Sequence, residues 1–424
     1  MQKRRILLIA PTTTYRLDDF LTAAQRLDVE VLLATNRCGV LARLWPEHAT
    51  LSLPFSAPRQ AVSKAAALLE QTPVDAVLAV DDESTPLASM LARKLKLPGN
   101  TPKSTKLARN KYLFRKALSA SELPSPDFQL FAVEQDFRKK IEWKKLPFPC
   151  VLKPLTLSGS QGVIRADNRS EFSAAFRRIA AILEQTQLRK TKDKFAKFIL
   201  AEQFIEGDEF AIEGLLTDGR LRILTIFDKP DPLNGPYFEE TIYLTPSGLP
   251  PELQVQIHRT LEAACHLLGL RHGPLHAEVR INAHGIFLIE IAPRTIGGLC
   301  SRIIKFAAHT PLEELVIRHA LGENIDNLFV PFRAAGVMMI PIPRHGILHE
   351  VHGLQKARMT PGVSEVQMTI EPGNMIVPLP EGNSYLGFIF ATGHSTASVE
   401  HSLRAAAAVL DFRIKPALGT IPSA

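Results

Sequence analysis

The sequence predicts a multidomain α/β protein that opens on a doubly wound parallel sheet and turns to antiparallel strands further along. Three observations carry this. In the first hundred residues, short continuous apolar runs alternate with amphipathic helical stretches, the pattern of a parallel sheet covered on both faces. Later apolar stretches come in pairs around tight turns such as TDGR, which is the hairpin pattern. At 424 residues the chain is also too long for one ordinary core, so two to four domains are expected.

The elements follow in order. RILLIAP, EVLLAT and DAVLAVDD read as strands, and DDFLTAAQRL, SKAAALLEQT and PLASMLARKL as helices. This region has no G-x-G, so dinucleotide binding is not expected in it. A connecting stretch, LPGNTPKSTKLARNKYLFRKALSASELPSP, has proline pairs at its ends, and KLARNKYLFRKAL between them reads as one helix. FQLFAV, FPCVLKP and KFILAEQFI are strands around the helix EFSAAFRRIAAILEQT, which makes a small α+β unit hinged on a glycine-rich turn. DEFAIEGLLTDGRLRILTIFDKP is a strand pair, a long amphipathic helix ends at Gly269, and HAEVRINAHGIFLIEIAPR is a hairpin. From about residue 331, AAGVMMIPIP, GNSYLGFIFATG and the helix SVEHSLRAAAAVL indicate a separate α/β cap.

Composition is ordinary globular, 46% hydrophobic and 22% charged, and a formal charge of +7 suits an anionic ligand. The basic cluster FRKKIEWKK has no recognised nucleic-acid signature and reads as a solvated face, so no nucleic-acid partner is expected. Cys38, Cys150, Cys265 and Cys300 lie far apart without C-x-x-C, which suggests neither zinc nor a disulfide framework. MQKRRILLIAP carries an apolar run too short for a signal segment, and no span reaches transmembrane length; a soluble, cytoplasmic protein is expected.

Chemistry first shows at VLKPLTLSGSQGV, where Lys153 closes an apolar strand ahead of a glycine- and serine-rich turn. Small residues let backbone N–H groups approach phosphate oxygens while lysine adds charge. A hairpin turn with a surface lysine would look the same, and no Gly-Lys pair of the common nucleotide loop occurs. The hairpin says more. With AHG as a three-residue loop, Asn282 faces Ile286, and counting back sets Glu278 directly opposite Glu290 on one face. Like charges so placed call for a cation between them, and Glu290 also interrupts the apolar GIFLIEIA, so a hard divalent ion is expected. Neutralisation by Arg280 or Arg294 is the alternative, and a four-residue loop would put the acids on opposite faces. In FILAEQFIEGDEFAIEG, Glu202 and Glu209 flank a Gly207 turn and could face an adenine and its ribose, or belong to an acidic loop.

Taken in order, these features resemble an ATP-grasp enzyme across about residues 1–330, and the C-terminal part is similar to the cap of the L-amino acid ligase branch. The carrying motifs are the lysine-bearing helix, V-L-K-P with its glycine loop, E-x-F-I-x-G-x-E, and paired glutamates before P-R. The resemblance implies ATP-grasp architecture, with an N-terminal α/β domain (1–115), a lid (116–205), a central antiparallel-sheet domain (206–330) and a cap (331–424). It implies ATP and two Mg²⁺ or Mn²⁺ ions, with small carboxylate and amine substrates and a possible homodimer. It assigns Lys111 and Lys153 to the α- and β-phosphates. Ser158, Gly159, Ser160, Gln161 and Gly162 become the loop over the β/γ-phosphates. Glu202, with Phe204 and Ile205 backbone, faces adenine, and Glu209 the ribose; Glu278 and Glu290 bind metal. Arg294 grips the transferred phosphoryl, while His276, Gly297, Glu240 and, as runner-up, Glu239 contact substrate. In DKPDPLNGPYFEETIYLTPS, residues 228–237 are expected as an exposed loop, with FEETIYL extended so that one of the two acids points inward to hold an α-ammonium. Ala292 stands where many ATP-grasp enzymes have a metal-ligand asparagine, so that ligand must come from elsewhere. The implied reaction joins a carboxylate to an amine through an acyl phosphate. Alternatives are a bicarbonate- or formate-activating enzyme of biotin-carboxylase or purine-pathway type, and a non-catalytic ATP-binding module.

Overall fold

A computed structural model describes residues 3–14, 16–36, 50–185 and 194–417. It is a mixed α/β chain that divides into two compact units: Met1–Ser125 with Phe210–Ile226 and Gly248–Phe332, and Pro126–Glu209 with Phe227–Ser247 and Arg333–Ala424.

The first unit opens with four parallel strands in the spatial order Thr50–Ser52, Glu30–Thr35, Arg5–Ala10, Ala76–Ala79. ILLIA and VLLAT are buried along their whole length, as a sheet covered on both faces requires. Thr50–Ser52 was not foreseeable from periodicity: it is three residues long and buries only Leu51. The helices Leu17–Arg26, Pro58–Leu69 and Thr85–Leu95 follow the expected segments.

KLARNKYLFRKAL is two helices, not one. Pro102–Arg109 stops at Asn110, which is extended and accepts the Leu113 N–H on its Oδ1, so that it caps Lys111–Leu118. A short side-chain acceptor favours this position, where it satisfies an otherwise orphaned amide. The break makes Lys111 the first residue of the second helix and turns Arg115 inward to donate to the carbonyls of Leu288 and Ile289.

The unit's antiparallel strands run in the order Gly285–Ala292, Gly273–Asn282, Asp208–Thr217, Arg220–Asp228. Helix Pro251–Leu268 packs Ile257, Leu261 and Cys265 into one core with Ile212, Leu275 and Leu288. It ends at Gly269, whose φ of +73° is the left-handed cap that glycine adopts without steric cost.

In the second unit a four-stranded antiparallel sheet has the order Phe128–Ala132, Phe198–Gln203, Cys150–Pro154, Ile164–Ala166. Helix Arg169–Gln185 covers it, and Phe131, Phe137, Phe172 and Phe176 meet edge-on or tilted in its core. Strands Ile242–Thr245, Ala334–Ile340, Gly387–Gly393 and Val363–Met368 lie side by side under helix Thr396–Ala408. Gly336 permits that approach, because a Cβ there would sit 2.6 Å from Val399 Cγ1. A further sheet of Met375–Ile376, Gly346–His352 and Asp411–Lys415 was not anticipated, since GILHEVH and DFRIK carry charges and leave few side chains buried.

The segment after Asp228 also differs from expectation. The strand begins only at Ile242, so Glu239 and Glu240 lie in irregular backbone and strand alternation does not sort them. Leu233 is buried, and Asp231 accepts from Thr241 (2.5 Å) and Arg404 (2.6 Å), which pins the loop against the cap helix. Cys150 and Cys265 are buried free thiols pushed up to about 12 by burial, while Cys38 lies outside the described residues. Among the described residues no helix is long and apolar enough to cross a membrane.

Two histidines of the first unit set an acid limit on stability. His319 lies against His272 with the rings tilted by 30° and centroids 4.7 Å apart, and its Nε2 lies 2.8 Å from Thr217 Oγ1, at a cavity of about 70 Å³. Burial, and then the neighbouring His272, push His319 down to about 4. Between its ordinary 6.5 and 4 the unfolded chain therefore binds more protons than the folded one, so stability falls as pH drops through that window. His319→Gln should make the loss of Tm between pH 7 and 5 shallower. A variant as acid-sensitive as the parent would show that the destabilising proton binds elsewhere.

Candidate active site

The expected site residues form two groups, one in each unit. In the second unit, Lys153 and Glu202 lie on neighbouring strands and their side chains form an ion pair, with 11% and 4% of each exposed. The glycine loop follows Lys153. Gly159, Ser160 and Gly162 have φ of +62°, +55° and +70°. Among the described residues the Gly159 and Ser160 amides donate no hydrogen bond within the protein, whereas Gly162 N–H donates to Pro380 O at 2.9 Å. Consecutive left-handed residues with unspent N–H groups form a concavity suited to anionic oxygens.

Phe204 N–H donates to Pro149 O at 3.0 Å, so that amide is already engaged; Ile205 is buried. The Phe204 ring carries the Arg165 guanidinium 4.4 Å from its centroid, with Phe238 6.2 Å away. Glu209 and Glu240 share one cation: Lys229 Nζ is 2.8 Å from Glu209 Oε1 and 2.5 Å from Glu240 Oε1, and only 3% of its side chain is exposed. Tyr243 Oη donates to Glu240 at 2.5 Å. Glu239, half-buried, has its carboxyl raised by burial.

In the first unit the hairpin reaches the expected pairing by another route. Its loop is two residues, Ala283 and His284, with Asn282 opposite Gly285, not Ile286. A β-bulge then corrects the register: Val279 faces Leu288 while Glu278 faces Glu290, so Ile289 is the extra residue. The two acids are directly opposed, each half-buried. Glu278 Oε1 lies 3.8 Å from His276 Nε2, and Glu290 Oε1 lies 3.8 Å from Arg294 Nη2.

Behind them are buried partners. His276 Nδ1 is 2.7 Å from Glu213 Oε1, on a strand residue with no exposed surface. Burial opposes charging of His276, but the hydrogen bond to Glu213 and the nearby Glu278 carboxylate outweigh it and raise the imidazole to about 9. Burial raises the Glu213 carboxyl, against the pull of His276, Arg294 and Arg16 toward the carboxylate. Arg294 Nε and Nη2 each lie 2.8 Å from Asp82 Oδ2, and Nη1 donates to Thr295 O at 2.9 Å. Burial pushes the Asp82 carboxyl up, yet Arg294, Arg109 and Lys111 together hold it below the ordinary range. Gly297 is open: a Cβ there would meet nothing within 4 Å.

Three residues of this arrangement escaped the sequence reading, and two of them left a signal. Glu213 interrupts FAIEGLL just as Glu290 interrupts GIFLIEIA, so the same argument finds it. Asp82 follows the strand Ala76–Ala79 of a parallel sheet, the edge where ligands of open α/β sheets collect. Lys229, one of many charges after a strand, left none.

Three family models match the chain: an ATP-grasp N-terminal domain over residues 21–99, an ATP-grasp domain over 146–303, and L-amino acid ligase C-terminal domain 2 over 338–415. The crystal structure of L-amino acid ligase from Bacillus licheniformis superposes with a TM-score of 0.83 at 28% identity, covering 98% of this chain and 100% of that one. Protein y4rH of Sinorhizobium fredii is 25% identical over 77% of this chain and 65% of its own length. Dapdiamide A synthase of Enterobacter agglomerans is 29% identical over 56% of this chain and 54% of its own. The chain thus spans less than two thirds of these two curated relatives.

The Lys153–Glu202 pair predicts a two-part effect. Lys153→Ala should lower the Tm, because it takes the lysine from a carboxylate whose side chain is only 4% exposed. Adding Glu202→Gln should restore most of the Tm. Equal stability of Lys153→Ala and the parent in a melting curve would contradict the pairing.

Proposed function

We propose, from the premise that the chain belongs to the ATP-grasp family, that it is an ATP-dependent ligase joining the carboxylate of an amino acid to an amine, with release of ADP and phosphate. The observation that carries the reading is the direct opposition of Glu278 and Glu290 on a hairpin that runs into Arg294. The match of residues 338–415 to an L-amino acid ligase domain favours an amine acceptor over activation of bicarbonate or formate.

A carboxylate is a poor electrophile because its leaving group would be oxide; transfer of the γ-phosphoryl to it makes an acyl phosphate that an amine can attack. In the second unit, Lys153 and the loop Ser158–Gly162, through its Gly159 and Ser160 amides, hold phosphate oxygens, Glu202 with Phe204 and Ile205 faces adenine, and Glu209 faces the ribose. In the first, Lys111 adds charge to the phosphates. Glu278 and Glu290 offer the hard oxygen donors that Mg²⁺ or Mn²⁺ prefers, and two such ions are proposed. A bound ion supplies positive charge to the phosphoryl oxygens. His276, held by Glu213, orients Glu278. Asp82 fixes Arg294 through Nε and Nη2, leaving N–H groups on its terminal nitrogens for the moving phosphoryl. Gly297 leaves room for substrate.

A matrix of amino acids scored for ADP and phosphate release with product masses tests the reading. An ¹⁸O-labelled carboxylate substrate should deliver one labelled oxygen to the released phosphate; label in AMP, with none in phosphate, would mean adenylation instead. Glu240 is assigned to the α-ammonium. Glu240→Gln leaves Lys229 its Glu209 partner, so it should raise KM for the amino acid about tenfold, the scale of a lost charged hydrogen bond, with KM for ATP nearly unchanged. An unchanged KM for every accepted amino acid would remove Glu240 from the substrate site.

A further inference from the structure

We propose that the cap turn around Pro380–Asn383 is a docking element for the glycine loop, and that Glu381 is a positioning residue which keeps that loop in its phosphate-receiving form. The proposal rests on the reading above that the loop takes the phosphates of ATP.

Three contacts join turn and loop, all inside the second unit. Gly162 N–H donates to Pro380 O at 2.9 Å, and Gln161 Nε2 donates to Glu381 O at 2.6 Å. Gly159 lies so close that a Cβ would be 3.3 Å from Asn383 O. The loop is therefore held at Gln161 and Gly162 and closely approached at Gly159, while the Gly159 and Ser160 amides stay unspent within the protein.

The turn that grips it is itself closed. Gly382 N–H donates to Pro378 O at 2.8 Å, and a Cβ on Gly382 would fall 1.8 Å from Val377 O, so no side chain fits there. Glu381 then acts at both of its ends. Its carbonyl holds Gln161, and its carboxylate takes Arg178 in two parallel bonds, Nε–Oε1 2.6 Å and Nη2–Oε2 2.9 Å. Bidentate geometry fixes the orientation of both partners. Arg178 stands on helix Arg169–Gln185, which covers the sheet from which the loop springs, and its Nη1 also donates to the Tyr237 hydroxyl. One cap residue thus ties the loop and the helix behind it to the same preformed turn. Arg178 and Glu381 side chains are 43% and 36% exposed, so the link is tunable and its loss is not a folding defect.

The test uses the full chain. Hydrogen–deuterium exchange of a peptide covering residues 155–163 is followed with and without ATP, alongside ATP kinetics. Glu381→Ala should increase nucleotide-free exchange of that peptide and raise KM for ATP about fivefold, as expected for an exposed ion pair, with kcat within about twofold. The charge swap Arg178→Glu with Glu381→Arg should return both readouts most of the way. Unchanged exchange and KM in Glu381→Ala, or a swap no better than the single variants, would overturn the proposal. If ATP gives the parent loop no protection at all, it is the ATP reading that fails, and nucleotide-free exchange in Glu381→Ala alone decides the docking.

Discussion

A charge carried into an apolar strand has to be matched where it lies, because desolvation costs more than any solvated pairing can return. Both units are organised by that constraint. In the first, Glu213 and Arg294 are buried, and each fixes a neighbour in answering its own need: Glu213 takes His276, and Arg294 takes Asp82. In the second, Glu202 takes Lys153, and Lys229 takes Glu209 and Glu240 together. Every pair includes at least one residue assigned to substrate, nucleotide or phosphoryl. The polar side chains are thus held in place before any ligand arrives, and what a ligand meets is a set of oriented groups. Preorganisation of this kind is where electrostatic catalysis gets its advantage over water.

The two central strands of the parallel sheet, Arg5–Ala10 and Glu30–Thr35, were legible because they bury nearly every side chain and so write an unbroken apolar run. The paired glutamates were legible for a related reason, since an acid inside such a run stands out. Their register came out right although the loop assumed for it was one residue too long, and the bulge at Ile289 absorbed the difference. Sequence has no local mark for that bulge; it reflects how the strand fits its neighbour. Asn110 carried a signal in the residue itself, a good N-cap in the middle of a helical pattern, and periodicity overrode it. Glu240 was singled out for facing inward on a strand, yet it is held by Lys229 and Tyr243 from irregular backbone. Such long-range partnerships are settled by packing, and no spacing rule within one chain reveals them.

The glycine loop shows how backbone conformation substitutes for side-chain chemistry. Gly159, Ser160 and Gly162 sit in a region that L-residues with a Cβ avoid, and Ser160 enters it without glycine's freedom. Contacts to Pro380 and Glu381 lie directly beside these residues. A loop that must present amides to an anion is better held from outside than by its own side chains, which would compete for the same donors.

Each compact unit is assembled from three separated stretches of chain, and this bears on how the protein emerges from the ribosome. The first unit has its sheet of parallel strands by residue 125 but needs Phe210–Ile226 and Gly248–Phe332 to complete it, some 200 residues later. At about 5–20 residues per second that is a wait on the order of 10–40 s. Meanwhile the inward face of Lys111–Leu118, with Phe114 and Leu118, has no strand Gly285–Ala292 to cover it. Arg115 likewise waits for the carbonyls of Leu288 and Ile289. The interleaving that sets the site residues on shared sheets thus makes the nascent chain a client for whatever shields apolar surface during synthesis.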